Sequence, residues 1–278
     1  MHIYITKADG SKDLFDEKKL KASLRVSGAS KKVIDEIIAE INDVVYDGIT
    51  SDIIYKMAEK LLREKSKKAA LRYNLTNAIA LLGPEGFAFE AFLAEVMRER
   101  GYKNVSTGKK IKGHCMVHEL DVVGESDDEI LTIEAKFHNS RSKKSDLQVI
   151  LYMKARFQDI LDGGYYKNKK PRQMIITNTK FTDNAKKYAK CSRTEVVSWD
   201  YPVKYNLHHY ILDSHIHPIT ALNSLPKKAR EYFIEKKIVS IRELAKNNFE
   251  KLYECAFLSN KEIINIVAEV EEFFSDKI

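Results

Sequence analysis

Only three cysteines occur in the 278 residues, Cys115, Cys191 and Cys255, and no two of them form a CxxC pair. An odd, scattered set of this kind excludes a disulfide framework and fits a reducing, cytoplasmic setting. No apolar run approaches the ~18 residues that would span a bilayer. The opening stretch MHIYITKADG has no basic segment ahead of an apolar one. Neither a membrane partner nor a secretory signal is therefore expected. GxSxG and GxxxxGK[ST] are both missing, so serine-hydrolase and P-loop ATPase chemistry lack support. No repeat of fixed period and no low-complexity segment is found.

What the chain has is charge. Charged residues make up 31% of it and hydrophobic ones 44%, with a net charge of +7 and a pI near 9.0. A basic balance favours a polyanionic partner. Three stretches differ in pattern. Residues 1–82 open with a short strand, HIYIT, a KADGSK turn and a second strand. Four helical periods follow, with Asp16, Ser30 and Thr50 or Ser51 as caps. GPEG at 83–86 punctuates the chain, and residues 83–212 alternate between helical and strand periods. Within them VHELDVV and ILTIEAKF read as a hairpin across the turn GESDDE, YYKNKKPR as a loop and QMIITN as a buried strand. Residues 213–278 carry only helical spacing. The expected fold is multidomain α/β: a β-hairpin with a helical bundle, a central α/β core and a small all-α tail.

The central stretch carries the chemistry. Asp121 alternates with Leu120 and Val122, while Glu134 and Lys136 share one side of the next strand. If the two strands pair, Asp121 and Glu134 converge, and two such carboxylates repel unless a cation lies between them. Oxygen ligands of this kind select Mg²⁺ or Mn²⁺. A neighbouring lysine can hold a water or a phosphate, and such a metal serves phosphodiester hydrolysis.

Asp121 followed by Glu134-Ala135-Lys136 resembles the D…(D/E)xK signature of the PD-(D/E)xK nuclease superfamily. Glu90, on the preceding helix, and Gln148 with Tyr152, four apart on the following one, extend the match over about 83–199. QMIITNTKFTDNAKKYAK is similar to the strand-loop-helix of Mrr-type restriction endonuclease domains. The resemblance implies a mixed sheet flanked by helices, with Asp121, Glu134 and the Ala135 carbonyl on the metal. It implies that Lys136 acts on the attacking water or the phosphate, with Glu90 reaching the metal directly or through water. Gln148 would orient a neighbour or a phosphate, supported by Tyr152. Leu120 stands where the signature's leading proline would be.

IYITKADGSKDLFDEKKL, YDGITSDI and ALRY resemble the ATP-cone, a nucleotide-sensing module, over about 1–82. The resemblance implies that Lys7, Lys19 and Thr50 contact ATP or dATP, with Asp13 and Asp16 nearby. Ala8 replaces the arginine of that pattern. With no P-loop, the nucleotide is an effector and not a fuel. Two basic runs are expected to hold DNA phosphates: Arg141, Lys143 and Lys144, and Lys169, Lys170 and Arg172. HCMVH (His114, Cys115, His118) lacks a second ligand pair for zinc, and His208, His209, His215 and His217 read as a polar strand or linker. SLPKKAREYFIEKKIVSIRELA is loosely similar to helix-hairpin-helix units, with Lys237 where a glycine is expected.

Together these readings give a metal-dependent restriction or defence deoxyribonuclease under ATP or dATP control, a homodimer if it cuts both strands. The alternatives are a repair or Holliday-junction-type nuclease on the same core, and a non-catalytic, nucleotide-responsive DNA-binding regulator.

Overall fold

The computed structural model describes residues 3–7, 10–166 and 169–275. Ala8 and Asp9 of the KADGSK turn, and Lys167 and Asn168 of YYKNKKPR, lie outside them. The chain forms two compact units, 1–77 together with 260–278, and 78–259.

In the first unit, β1 (Tyr4–Thr6) and β2 (Lys12–Leu14) pair antiparallel, Ile5 opposite Asp13. Three helices follow, each opened by the side chain the sequence offers. Asp16 caps α1 (Glu17–Val26), Ser30 caps α2 (Lys31–Val44) and Thr50 caps α3 (Ser51–Lys65). A parallel bridge between Thr6 and Thr50 ties the hairpin to the start of α3. Leu24, Ile37, Ile41 and Leu62 form the fully buried centre. The fourth helical period is two helices, α4 (Lys67–Tyr73) and α5 (Leu75–Ala80). Asn74 leaves helical angles between them, and its N–H turns back to Ala70.

In the second unit, which begins within α5, the first whole helix is α6 (Phe87–Glu99). A five-stranded sheet follows: β3 (Lys103–Lys112), β4 (Val117–Glu125), β5 (Glu129–Lys136), β7 (Lys170–Thr177) and β9 (Glu195–Val197), in that order across the sheet. β3, β4 and β5 run antiparallel; β5, β7 and β9 are parallel. Two short strands, β6 (Lys144–Ser145) and β8 (Lys180–Phe181), pair beside it. The crossover helix α7 (Leu147–Asp162), capped by Asp146, and α8 (Asp183–Ser192) pack Ile150, Met153 and Ala185 on Ile175 and Val196. The mixed sheet flanked by helices is as expected. β3 was not: its lysine-rich sequence KNVSTGKKIK hides the alternation. Lys170–Arg172, expected in a loop, open β7, because Glu129 at the start of β5 pairs with Lys170.

The remaining helices of this unit are α9 (Leu207–Ser214), α10 (Lys227–Glu235), α11 (Ile241–Leu244) and α12 (Glu250–Tyr253). His208 and His209 thus lie on a helix. Lys237, between α10 and α11, has φ of 59°, the left-handed conformation in which a glycine costs least. The last helix, α13 (Asn260–Phe274), buries Ile263, Ile266, Val270 and Phe273 and packs with α4 in the first unit. Compactness therefore divides the tail between the two units.

The tip of the β3–β4 hairpin is held by one side chain of α7. The Asp159 carboxylate accepts from the N–H of Cys115 at 2.7 Å and of Met116 at 3.4 Å, and meets His118 Nε2 at 2.7 Å. These hydrogen bonds keep its pKa below the usual carboxylate range. Gly113 lies so close that an added Cβ would fall 2.1 Å from Asp159. In an Asp159→Ala variant the Cys115 and Met116 amides should exchange with solvent at least about tenfold faster. Hydrogen-exchange mass spectrometry checks this, and unchanged protection would mean the tip is held by packing alone.

Candidate active site

The antiparallel ladder between β4 and β5 ends at Val122 opposite Ile133. β5 continues to Lys136 alongside β7. One step beyond the last pair, Asp121 stands across from Glu134. With no partner strand on that side, the backbone edge of Glu134–Lys136 is open toward β4. The Asp121 Oδ2 atom fills part of the notch by accepting the Ala135 N–H at 2.7 Å. In an extended strand the N–H and C=O of one residue point to the same side. The Ala135 carbonyl therefore opens on the same notch as the Asp121 and Glu134 carboxylates.

Burial and like charge act together here. Glu134 is 4% exposed. The pKa of Asp121 is pushed up to about 7, chiefly by burial and next by the charge of Glu134. Glu90, in the first turn of α6, is half-buried. Its pKa is raised by burial, then by Glu134 and Glu119. Asp121, Glu134 and Glu90 thus raise the local negative charge together. Lys136 answers them: its Nζ lies 2.6 Å from Glu134 Oε1.

A second cation comes from α7. Arg156 Nη1 bonds Glu134 Oε2 at 2.9 Å, and its side chain is 9% exposed. Its Nε is buried, with no hydrogen-bond partner among the described residues. The sequence reading missed Arg156, although a signal was present. It stands four residues beyond Tyr152 and eight beyond Gln148, on the same face of α7, and its guanidinium lies 6.0 Å from the Tyr152 ring. Gln148 itself is exposed in the first turn. Among the described residues its side chain makes no hydrogen bond to Asp121, Glu134 or Lys136. His138, also missed, follows Lys136 by two residues. Its N–H donates to Asn178 Oδ1 at 2.8 Å, its carbonyl accepts from Asn178 Nδ2 at 2.9 Å, and its ring meets Ser145 at 3.0 Å. Burial first, then Lys143 and Lys136, lower its pKa.

The basic runs part company. Arg141, Lys143 and Lys144 occupy the segment just past Lys136, and all three are exposed. Lys169, Lys170 and Arg172 are not brought to the site. Lys170 pairs with Glu129, five residues before Glu134 and so about 16 Å away along the strand. Lys169 is engaged by Ser126 O at 2.9 Å and Glu125 at 3.3 Å. Arg172 is engaged by Glu195 at 2.8 Å and Glu129 at 3.2 Å.

In the first unit, Lys7 and Lys19 line one cavity of about 240 Å³ with Asp13, Asp16, Ser51, Tyr55 and Tyr73. Lys7 lies 2.6 Å from Asp13 and Lys19 3.8 Å, and these contacts lower the Asp13 pKa. Tyr55 and Tyr73 stack at 4.8 Å. Thr50 is next to Ser51 but spends its hydroxyl on the Ile53 N–H, 3.3 Å away, as the cap of α3.

Comparison with known proteins assigns three domains along the chain. The ATP cone domain matches residues 3–76, a restriction endonuclease domain of the Mrr catalytic type residues 82–202, and the C-terminal domain of AF1548-like proteins residues 217–274. The second unit thus contains a nuclease-type domain. An uncharacterized protein of Archaeoglobus fulgidus is 32% identical over 180 residues, covering 65% of this chain and 98% of its own. The crystal structure of AF1548, a protein of unknown function, aligns at 29% identity with a TM-score of 0.56, over 68% of this chain and 98% of that one. A repair endonuclease from Pyrococcus abyssi aligns over 36% of this chain and 40% of its own, at 23% identity and a TM-score of 0.27. The chain belongs to the same family as this uncharacterized Archaeoglobus fulgidus protein, with an ATP cone and a restriction-endonuclease-type domain in one polypeptide.

The raised Asp121 pKa has a signed consequence. Unfolded, the carboxyl ionises near pH 4; folded, it holds its proton to about pH 7. Between these values the native state binds more protons, so this group makes stability fall as pH rises from 4 to 7. Asp121→Asn should flatten that part of the curve in metal-free buffer. Chemical denaturation at pH 4.5, 5.5 and 6.5 checks it; an unchanged slope would mean that Asp121 ionises normally.

Proposed function

We propose that the protein is a Mg²⁺- or Mn²⁺-dependent endonuclease that hydrolyses DNA phosphodiester bonds in restriction or defence. ATP or dATP on the N-terminal cone is its effector. The observation that carries the reading is the notch at the end of the β4–β5 ladder, where Asp121, Glu134 and the Ala135 carbonyl face one another. Among the described residues no three His, Cys, Asp or Glu side chains form a metal cage. A hard, largely hydrated ion needs no cage: Mg²⁺ is commonly held by one or two carboxylates plus water and substrate phosphate. The notch fits that pattern, and its crowded carboxylates favour a cation. Asp121, Glu134 and the Ala135 carbonyl would hold the ion. When bound, it would polarise a phosphoryl oxygen and ease ionisation of a water.

The chain's own residues do the rest. Lys136, 34% exposed beside a buried Glu134, is placed to meet the scissile phosphate from solvent. Glu90 can accept a hydrogen bond from the attacking water. Arg156 keeps Glu134 neutralised while no other cation is present, and its freed guanidinium adds a second positive charge at the phosphate. Gln148, on the same face of α7, is placed to touch the substrate above it. In the cone, Lys7 and Lys19 supply two cations for nucleotide phosphates, and the stacked Tyr55 and Tyr73 supply an aromatic wall. Cleavage of both strands would use two copies of the chain.

The test is incubation with plasmid, linear and single-stranded DNA in Mg²⁺, Mn²⁺ or EDTA, with and without ATP or dATP. Cleavage should need metal and be abolished by Glu134→Ala and by Lys136→Ala, and Lys19→Ala should remove any nucleotide effect. Cutting that persists in both active-site variants would place the site elsewhere. DNA binding without cleavage under any condition would favour a regulator.

Arg156 separates two effects. Arg156→Gln removes a cation that competes for Glu134, so Mn²⁺ should bind about tenfold more tightly, read by electron paramagnetic resonance titration. DNA cleavage at saturating metal should nevertheless slow by about ten- to a hundredfold, as loss of a phosphate-directed charge implies. Weaker Mn²⁺ binding in this variant would show that Arg156 only holds Glu134 in place.

A further inference from the structure

The β3–β4 hairpin extends past the sheet. β4 pairs with β5 only over 122–125, whereas its pairing with β3 runs on to Lys112 opposite Val117. Residues 108–121 therefore form a two-stranded arm. One side of it is buried: Ile111 is 3% exposed, His118 8% and Leu120 2%. The tip is fixed to Asp159 of α7.

The other side is open, and it is the side that carries Asp121. Val117, Glu119 and Asp121 alternate along β4 and so share a face. The register sets Lys110 opposite Glu119 and Lys112 opposite Val117 on that face. Lys110 and Lys112 are exposed, and neither forms an ion pair among the described residues. By strand rise they lie about 7 and about 14 Å from Asp121 along the ladder. Met116 and Val117 add exposed apolar surface, 62% and 56% accessible. Glu119 is the one acid beside Asp121 on β4's half of this face.

We infer that this arm is a docking surface for duplex DNA, continuous with the catalytic notch. The inference rests on the nuclease reading and adds where the duplex lies. Phosphates along one strand rise about 3.4 Å per nucleotide along the helix axis and stand farther apart than that because the strand winds around the axis, so cations about 7 Å apart can each reach a phosphate of the same strand. A two-stranded β-ribbon also has a cross-section that a groove of duplex DNA admits. The apolar tip then rests against the sugars and base edges. The arm is rigid before DNA arrives, because Asp159 and the close approach of Gly163 to Gly113 hold it.

The experiment is fluorescence anisotropy with a 25-base-pair duplex in EDTA, so that no cutting occurs, over a salt series. A Lys110→Ala/Lys112→Ala double variant should weaken binding at least about tenfold. It should reduce the slope of log affinity against log salt by about 2, at ~0.9 for each phosphate that is no longer neutralised. Lys110→Arg/Lys112→Arg should restore both, and Lys170→Ala, at the far end of the sheet, should leave both unchanged. Equal losses from Lys170→Ala, or an unchanged slope in the double variant, would overturn the arm. A wild-type protein that neither binds nor cuts DNA would instead overturn the nuclease reading beneath it.

Discussion

Two carboxylates set across from each other at the end of a β-ladder impose conditions on everything around them. Asp121 and Glu134 are largely removed from water, and the charge of Glu134 raises the cost of charging Asp121. The fold meets this with cations drawn from different distances in sequence. Lys136 comes from the same strand and Arg156 from the crossover helix. The C-terminal half of α7 is thus constrained twice: Asp159 secures the hairpin tip, and one turn earlier Arg156 secures the site. Removing either partner from such a buried pair leaves an uncompensated charge, which costs far more than the intact pair contributes.

The N-terminal unit uses a milder version of the same device. Lys7 and Lys19 converge on Asp13 at a cavity mouth that is open to solvent, where the screening is strong and each pair contributes little to stability. Cations held loosely by one shared carboxylate can be transferred to an incoming polyphosphate at small cost. The tight cluster in the nuclease domain and the loose one in the cone therefore suit different tasks. The first suits the ordering of a reacting centre and the second the exchange of a small ligand.

The sequence revealed those features whose cause is local. Period-two alternation placed β4 and β5, and the short polar turn between them predicted a hairpin. Cap residues Asp16, Ser30 and Thr50 marked three helix starts. The signature Asp121…Glu134-Ala135-Lys136 anticipated the meeting of two strands because both ends of that meeting lie within fifteen residues. Features that depend on distant pairing stayed hidden. β3 exists because β4 offers a ladder, not because KNVSTGKKIK favours a strand. Lys170–Arg172 became strand for the same reason, and this carried them to the far end of β5. Arg156 looked like one more cation on an amphipathic helix until the sheet set Glu134 beneath it. The tail shows the limit of composition: its helices all have the same period, yet α13 belongs with the first unit and α10 to α12 with the second.

The turn between β4 and β5 has a role that its surface position conceals. Ser126 N–H bonds Glu129 O at 2.9 Å, and Glu129 N–H bonds Ser126 Oγ at 3.1 Å, closing the connection at one length. That length sets which residue of β4 faces which residue of β5. Side chains alternate with period two, so a shift of one residue would turn Asp121 to the opposite side of the sheet while leaving hydrophobic partners for most of the strand. Loop length here is a chemical parameter. An odd-numbered insertion between Glu125 and Glu129 could leave a folded sheet and still take the two carboxylates apart.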